Sequence, residues 1–175
     1  MPNRGHGSVN HSKHVGHAPS FSYPAAFFDG AEQSERCGCG VHIILDDKMQ
    51  YHLSWSGGSG TNNLAEARAL AGLLAFCSFL EIQDISIYGD SKIMVDHIRG
   101  TCHIGYPHLS GWLAWSIHFW NILKQPSIIH IPRSQNSETD CLSKEGMSYD
   151  NGDGSLKIFV DAHTYHIQDF RCPGL

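Results

Sequence analysis

The sequence lacks the segments that would carry a chain into or across a membrane. Its first thirty residues show no basic start followed by a continuous apolar run, as a signal peptide has. No later stretch approaches the roughly 18–20 apolar residues that cross a bilayer. We therefore expect a soluble protein without a membrane span that acts inside the cell, in the nucleus or the cytoplasm. We also expect it to be a monomer.

The sequence also lacks a zinc motif among its 6 cysteines. Cys37 and Cys39 are separated by a single residue, which is shorter than the usual zinc spacing, and no second pair follows. A chain of 175 residues with 41% hydrophobic residues can build a core without disulfides, so we expect free thiols.

A basic excess is missing as well, because 12 Lys and Arg stand against 17 Asp and Glu, which gives a net charge of −5. Proteins that bind nucleic acids usually carry a basic surface, so this balance argues against such a partner. It does not exclude one, since carboxylates that hold metal ions count as negative charge in the sum.

Composition divides the chain into three parts. Residues 1–20 are rich in Gly, Ser, Asn and Pro and contain four irregularly spaced histidines, which predicts a disordered, solvated tail rather than a metal site. Residues 21–148 form the predicted domain, and residues 149–175 form an extension with a predicted hairpin.

The apolar pattern predicts an α/β fold, a mixed sheet of five strands flanked by helices in the order β-β-β-α-β-α-α-β-α. Capping residues and glycines mark the element ends. The predicted strands are 25–30, 40–45, 49–55, 85–90 and 127–131. The predicted helices are 64–80, with residues 61–63 as caps in front of it, and 91–99, 109–124 and 136–146, and the predicted C-terminal hairpin is 156–170.

Glu66 is the residue that fits its predicted helix least well. Leu70, Leu73, Leu74 and Cys77 form a stripe that a helix turns toward a core, and Glu66 occupies the same stripe one turn earlier. Burying an unpaired carboxylate costs several kcal/mol, so a cation, a hydrogen-bond network or a function must hold it there.

Three further acids have unusual positions. Asp29 and Asp90 end predicted strands, and Asp140 lies in the last helix of the core. Strand ends and helix starts can converge at one edge of a sheet, and four carboxylates gathered there would repel one another unless divalent cations lay between them. Oxygen ligands favour Mg²⁺ or Mn²⁺, and a pair of such ions suits phosphodiester cleavage.

Four stretches that carry these acids resemble a type 1 ribonuclease H, in the same order and over about residues 24–146: FFDGA, TNNLAEARAL, YGDSKIMVD and HIPRSQNSETDCLSK. These motifs are most similar to those of the ribonuclease H domains of plant retroelements, in which His-x-Pro-Arg-x-x-Asn precedes the last acid and a strand-rich tail follows. The resemblance implies a ribonuclease H-like fold.

The resemblance further implies a metal-dependent endonuclease that cuts the RNA strand of an RNA–DNA hybrid and leaves 5′-phosphate and 3′-hydroxyl ends. It implies two Mg²⁺ ions, for which Mn²⁺ can substitute, and a tether to a reverse transcriptase in a polyprotein. The catalytic and metal-binding acids would be Asp29, Glu66, Asp90 and Asp140.

Carried over in the same way, His130 is the mobile histidine that assists product departure or proton transfer, which a neutral imidazole can do near pH 7. The alternative for His130 is an ordinary strand histidine. Thr61 would contact a DNA phosphate, and Asn62 and Asn63 would contact the 2′-hydroxyls of the RNA. These three residues also fit helix capping, and the two roles are compatible.

The remaining predicted substrate contacts are Gly30, Ser91, Lys92, Arg133 and Asn136. For Lys92 and Arg133 the alternative is a solvated surface charge. The basic handle helix with which some members of the family hold their substrate is missing from this sequence.

Two other functions fit the same fold. A non-catalytic nucleic-acid-binding module would have no reason to keep four mutually repelling carboxylates. Another nuclease of the superfold, such as an exonuclease or an integrase-like enzyme, would show an Asp-x-Glu pair where this chain has Asp29-Gly30, and would lack the Thr-Asn-Asn segment.

Overall fold

The computed structural model describes residues 21–171, so the predicted tail at 1–20 lies outside the described residues. Within them the predicted order of strands and helices is confirmed, and short 3₁₀ turns precede the last two helices. The strands are β1 Ala25–Gln33, β2 Arg36–Ile44, β3 Met49–Ser59, β4 Ser86–Gly89, β5 Ser127–His130, β6 Asp153–Val160 and β7 His163–Arg171, and the helices are α1 Asn62–Phe79, α2 Lys92–Ile98, α3 Ser110–Ile122 and α4 Ser137–Gly146.

The strands form one mixed sheet in the order β5-β4-β1-β2-β3-β6-β7. Strand β4 runs parallel to β1 and to β5, and the remaining neighbours are antiparallel. The C-terminal hairpin is present as β6 and β7, but it does not stand apart from the sheet, because β6 pairs with β3. The sheet therefore has seven strands in the described chain instead of the five predicted.

The first hairpin is longer than the sequence pattern predicts. Strand β1 continues past Asp29, and Ser34 and Glu35 make the turn with φ values of 53° and 63°, as in the two-residue turns that suit a twisted hairpin. Asp29 therefore lies inside β1, paired with Gly40, and the prediction that it ends a strand is wrong.

Strand β2 begins at Arg36, four residues before the predicted start at Gly40, and its glycines have a packing role. A Cβ at Gly38 or Gly40 would overlap the backbone of α4 near Ser143. The absent side chains let α4 lie directly against β2, and this contact fixes where the residues of α4 meet those of β1.

The main core lies between the sheet and helices α1 and α3, while α4 covers part of the opposite face. The predicted stripe of Leu70, Leu73, Leu74 and Cys77 is fully buried. The five described cysteines are free thiols, as expected. No helix in the range 21–171 has the length and apolar character needed to cross a membrane.

Candidate active site

The site begins with a close contact between β1 and α1. Gly30 is buried in β1, and a Cβ there would overlap the backbone of Ala65 and Glu66. The missing side chain lets α1 approach the strand, and the approach brings the Glu66 carboxylate beside Asp29. Gly30 thus supports the position of Glu66.

Asp29, Glu66 and Asp90 form a cluster in which one carboxylate oxygen of each lies within 4.8 Å of the others. Asp29 comes from β1, Glu66 from the first turns of α1, and Asp90 directly follows β4. Asp29 and Glu66 are each only 5% exposed, whereas Asp90 is half-buried. The structure thus brings together three of the four predicted acids.

The cluster is electrostatically strained when no cation is bound. Burial, followed by repulsion from Asp90, raises the pKa of Asp29 from 3.8 to about 7, against hydrogen bonds from Ser143 and Glu66. Burial, followed by the charges of Asp29 and Asp90, raises the pKa of Glu66 well above its usual value. Each carboxyl group therefore disfavours the charge of its neighbours.

The donor set of the cluster fits a hard divalent cation. Glu66 Oε2 is buried and has no hydrogen-bond partner, which is costly for a carboxylate unless a ligand meets it. The three groups offer only oxygen atoms, the ligands that Mg²⁺ and Mn²⁺ prefer. Asp29, Glu66 and Asp90 could therefore hold such an ion.

Asp140, the fourth predicted acid, lines the same pocket but is held differently. Lys144 Nζ lies 2.6 Å from its Oδ2, and an Arg133 guanidinium nitrogen lies 3.4 Å from its Oδ1. Burial alone would raise the pKa of Asp140, but the hydrogen bond and charge of Lys144, aided by Arg133, hold it below the ordinary value. Asp140 is thus an ionised carboxylate with cations of its own.

Three residues of α4, Thr139, Ser143 and Lys144, support the acids and were not among the predicted site residues. The buried Ser143 hydroxyl lies 3.0 Å from Asp29 Oδ2 and 2.9 Å from the Asp140 carbonyl oxygen. Thr139 is also buried and donates a hydrogen bond to Asn136. Ser143 and Lys144 follow Asp140 by three and four residues, the helical spacing that places side chains on one face, and this signal could have revealed them.

Asn136 is almost fully buried at 1% exposure. Its amide nitrogen donates to the Phe28 carbonyl oxygen at 3.0 Å and lies 3.4 Å from Asp90 Oδ1. These contacts connect the start of α4 with β1 and with the residue after β4. The predicted substrate contact of Asn136 stays a prediction.

His130 ends β5 beside the cluster. Its ring is exposed, and Nε2 lies 3.2 Å from the backbone oxygen of Asp90. Ser91 lines the pocket directly after Asp90. The positions of both residues are compatible with the predicted roles, which stay predictions.

The start of α1 presents the Thr-Asn-Asn segment. Thr61 caps the helix, because its hydroxyl accepts a hydrogen bond from the Leu64 amide at 3.3 Å. Asn62 is exposed and lines the pocket of the acids, whereas Asn63 is half-buried. Both asparagines lie at the helix N-terminus, where backbone amides favour anions.

The two predicted basic contacts differ. Arg133 lines the pocket, whereas Lys92 does not and is paired with Asp96 one turn along α2. The structure therefore brings one of the two predicted phosphate contacts to the acids.

Comparison with known proteins gives a consistent result. The model of the reverse transcriptase-like family matches residues 27–146. Ribonuclease HI of Halobacterium salinarum is 27% identical over 125 residues, which are 70% of this chain and 63% of that relative. The chain thus spans less than two thirds of the length of this curated relative.

Solved structures show the same similarity. RNase H1 from Halobacterium salinarum NRC-1 has a TM-score of 0.66 and 26% identity, over 70% of this chain and 96% of that one. LC11-RNase H1, isolated from compost and crystallised in complex with an RNA/DNA hybrid, has a TM-score of 0.60 and 26% identity, over 70% and 95% of the two chains.

Proposed function

The chain belongs to the reverse transcriptase-like family of the ribonuclease H-like superfamily, and from this premise we propose that it is a hybrid-specific endoribonuclease. It cuts the RNA strand of an RNA–DNA hybrid and leaves 5′-phosphate and 3′-hydroxyl ends. The observation that carries the proposal is the cluster of Asp29, Glu66 and Asp90 with the buried, unpartnered Glu66 Oε2. Without a bound cation, a cluster of this kind would destabilise the fold, because its buried charges repel one another.

Asp29, Glu66 and Asp90 would hold one Mg²⁺ ion, and Asp140 would join them for a second, with Mn²⁺ as a substitute. When bound, such ions supply activation of water and stabilisation of the departing 3′ oxygen. The side chains around the acids fix their orientation, since Ser143 hydrogen-bonds Asp29 and Asn136 reaches Asp90. His130, whose exposed ring contacts the Asp90 backbone oxygen, is the group proposed to accept or return a proton at its imidazole.

RNA–DNA hybrid is the proposed substrate because a similar protein, LC11-RNase H1, was crystallised with one. Asn62 and Asn63 are the groups proposed to contact the 2′-hydroxyls, and Thr61 and Arg133 are proposed to contact phosphates. Hydroxyl contacts of this kind let a protein distinguish RNA from DNA without reading base sequence.

The setting is part of the proposal. Membership of the reverse transcriptase-like family and the retroelement-like motifs support the proposal that the domain works beside a reverse transcriptase, in the nucleus or the cytoplasm. The domain itself would act as a monomer.

A short hybrid labelled in its RNA strand tests the proposal. We expect endonucleolytic fragments with Mg²⁺ or Mn²⁺ and none with EDTA or with an Asp29→Asn variant. Duplex DNA and single-stranded RNA serve as control substrates and should stay intact. Binding of the hybrid without any cleavage at any metal concentration would favour a non-catalytic module, and cleavage of duplex DNA would favour another nuclease class.

A further inference from the structure

The four acids of the pocket are held in two different electrostatic states. One carboxylate oxygen each of Asp29, Glu66 and Asp90 lies within 4.8 Å of the others, and none of the three forms a salt bridge with a side chain that the structure describes. Asp140, by contrast, has both carboxylate oxygens next to cationic nitrogen atoms, those of Lys144 and Arg133. One part of the pocket therefore lacks a positive charge, and the other part already contains two.

The ammonium group of Lys144 occupies a position beside Asp140 that a bound cation could take. Its Nζ lies 2.6 Å from Asp140 Oδ2, which is short for a charge-assisted hydrogen bond, and the two residues are one helical turn apart on α4. The Asp140 side chain is 20% exposed and that of Lys144 is 56% exposed. The partner of Asp140 is thus accessible to solvent and can move away without disturbing the core.

A divalent cation meets different conditions at the two parts. At the three-acid cluster it replaces repulsion between carboxylates by attraction and meets no side-chain cation. At Asp140 it needs an oxygen atom that an ammonium or guanidinium group now occupies, and like charges at such short separation repel. Both cationic side chains therefore oppose metal binding at Asp140, and Lys144, the closer of the two, must move away for Oδ2 to become a metal ligand.

We propose that Lys144, supported by Arg133, acts as a resident cation on Asp140 and thereby separates metal binding into two steps. The first ion enters the cluster of Asp29, Glu66 and Asp90 without competition. The second ion takes Asp140 as a ligand only by displacing Lys144. Lys144 is therefore a positioning residue that acts through Asp140. The inference rests on the proposed function because it assumes that the acids bind metal.

A consequence links metal loading to the substrate. A phosphate group that enters the pocket would attract Lys144 and Arg133 and release Asp140 to a metal ion. The two-ion state would then form more readily with a substrate present than without one, which limits its formation when the pocket is empty.

Calorimetric titration of Mn²⁺ onto the metal-stripped full chain, at constant ionic strength and without nucleic acid, tests the inference. We expect a tighter step and a weaker step in the wild type. Lys144→Gln should lower the dissociation constant of the weaker step by about two- to fivefold, the range expected for a partly exposed ion pair, and leave the tighter step unchanged. Lys144→Arg keeps the charge and should behave as the wild type.

Lys157→Gln is the matched control. Lys157, on β6, has its Nζ 3.6 Å from Oε1 of Glu145, which lies on α4. The variant therefore removes one positive charge beside the same helix but outside the pocket. It should leave both steps unchanged. Thermal unfolding in EDTA verifies that each variant is folded, and Lys144→Met replaces Lys144→Gln if that variant does not fold.

The inference is overturned if the weaker step is unchanged or weaker in Lys144→Gln, or if the wild type and this variant both show a single step. Because the titration contains no hybrid, its result is independent of cleavage. A chain that binds two ions as described but does not cut a hybrid would contradict the proposed function and leave the inference standing.

Discussion

Asp29 and Glu66 destabilise the folded chain when they are ionised and no cation is bound, because burial and like charge act together on both of them. Asp90 is the least buried of the three and contributes repulsion to both Asp29 and Glu66. Removing the charge of Asp90 should therefore have opposite effects on the two properties: it should reduce catalysis and increase the stability of the metal-free fold.

Asp90→Asn should abolish hybrid cleavage and raise the unfolding temperature in EDTA by about 2–4 °C, the shift expected for roughly 1 kcal/mol in a domain of this size. The amide keeps an oxygen that can accept from Asn136, so the fold should persist. Cleavage and thermal unfolding are measured on the same preparation. Cleavage near the wild-type rate would rule out a metal-binding role for Asp90.

The raised pKa of Asp29, about 7 instead of 3.8, predicts how metal-free stability depends on pH. The folded state binds this proton more tightly than the unfolded state does, so its stabilising effect is complete below about pH 4 and is lost as the pH rises toward 7. In EDTA, the unfolding free energy of wild type relative to Asp29→Asn should fall across this window.

The comparison with the variant is needed because His52 acts in the opposite direction. Burial, followed by the charges of His42 and Lys157, lowers its pKa from 6.5 to about 4, so its contribution is lost as the pH falls through that range. Subtracting the Asp29→Asn curve removes the His52 effect. A difference between the two curves that does not change with pH would contradict the prediction.

Among the elements, α4 carries the most information about the site that the sequence did not reveal. The apolar stripe of α1 and the transition from strand to helix around Asp90 could be predicted, because periodicity and capping are local signals. The contact of Ser143 with Asp29 joins residues 114 positions apart, and only the packing of α4 on β2 brings them together.

The same packing explains the wrong strand boundaries. The predicted second strand began only at Gly40, whereas β2 begins at Arg36, and Gly38 and Gly40 are required there by the helix that lies against them. The hairpin of β6 and β7 was predicted, whereas its pairing with β3 depends on an open strand edge that local pattern does not describe.

Gly40→Ala should therefore destabilise the fold by roughly 2–4 kcal/mol and reduce cleavage, because the added methyl group would overlap the backbone of α4 at Thr139 and Ser143. Gly111→Ala is the control, since no neighbouring atom lies within 4 Å of its Cβ position, and it should stabilise α3 by up to about 1 kcal/mol. Urea unfolding measures both. Equal stability of the two variants would show that α4 can shift without cost.

The N-terminus of α1 gives a prediction about the substrate. If Asn62 and Asn63 contact 2′-hydroxyls, a hybrid with 2′-O-methyl groups at the contacted positions should resist cleavage. The same hybrid methylated only outside the contacted segment is the control and should be cut normally. Asn62→Ala should weaken the binding of the hybrid and lower the stability of the fold only slightly. The cap of α1 is kept in this variant, because the capping hydroxyl belongs to Thr61. Normal cleavage of the methylated hybrid would place RNA recognition elsewhere.

For the molecule as a whole, the charge distribution predicts weak binding of a nucleic-acid substrate. Between α2 and the end of α3, Arg99 is the single Lys or Arg, and its guanidinium donates to the Ile128 carbonyl oxygen. No basic helix projects from this part of the described chain, and the net charge of the full sequence is −5. The domain can therefore neutralise only a few phosphates.

For about three to four phosphate contacts, the logarithm of the binding constant should fall against the logarithm of salt concentration with a slope of about −3 to −4. We expect a high KM and distributive cutting for the isolated chain, and a much lower KM after fusion to a hybrid-binding module, which raises the local hybrid concentration. KM for a short hybrid is measured at several salt concentrations, alone and fused, with Asp29→Asn in each form as the inactive control. A nanomolar KM at physiological salt without any gain from fusion would mean that a further surface holds the hybrid, and deletion of β6 and β7 would then test whether the hairpin provides it.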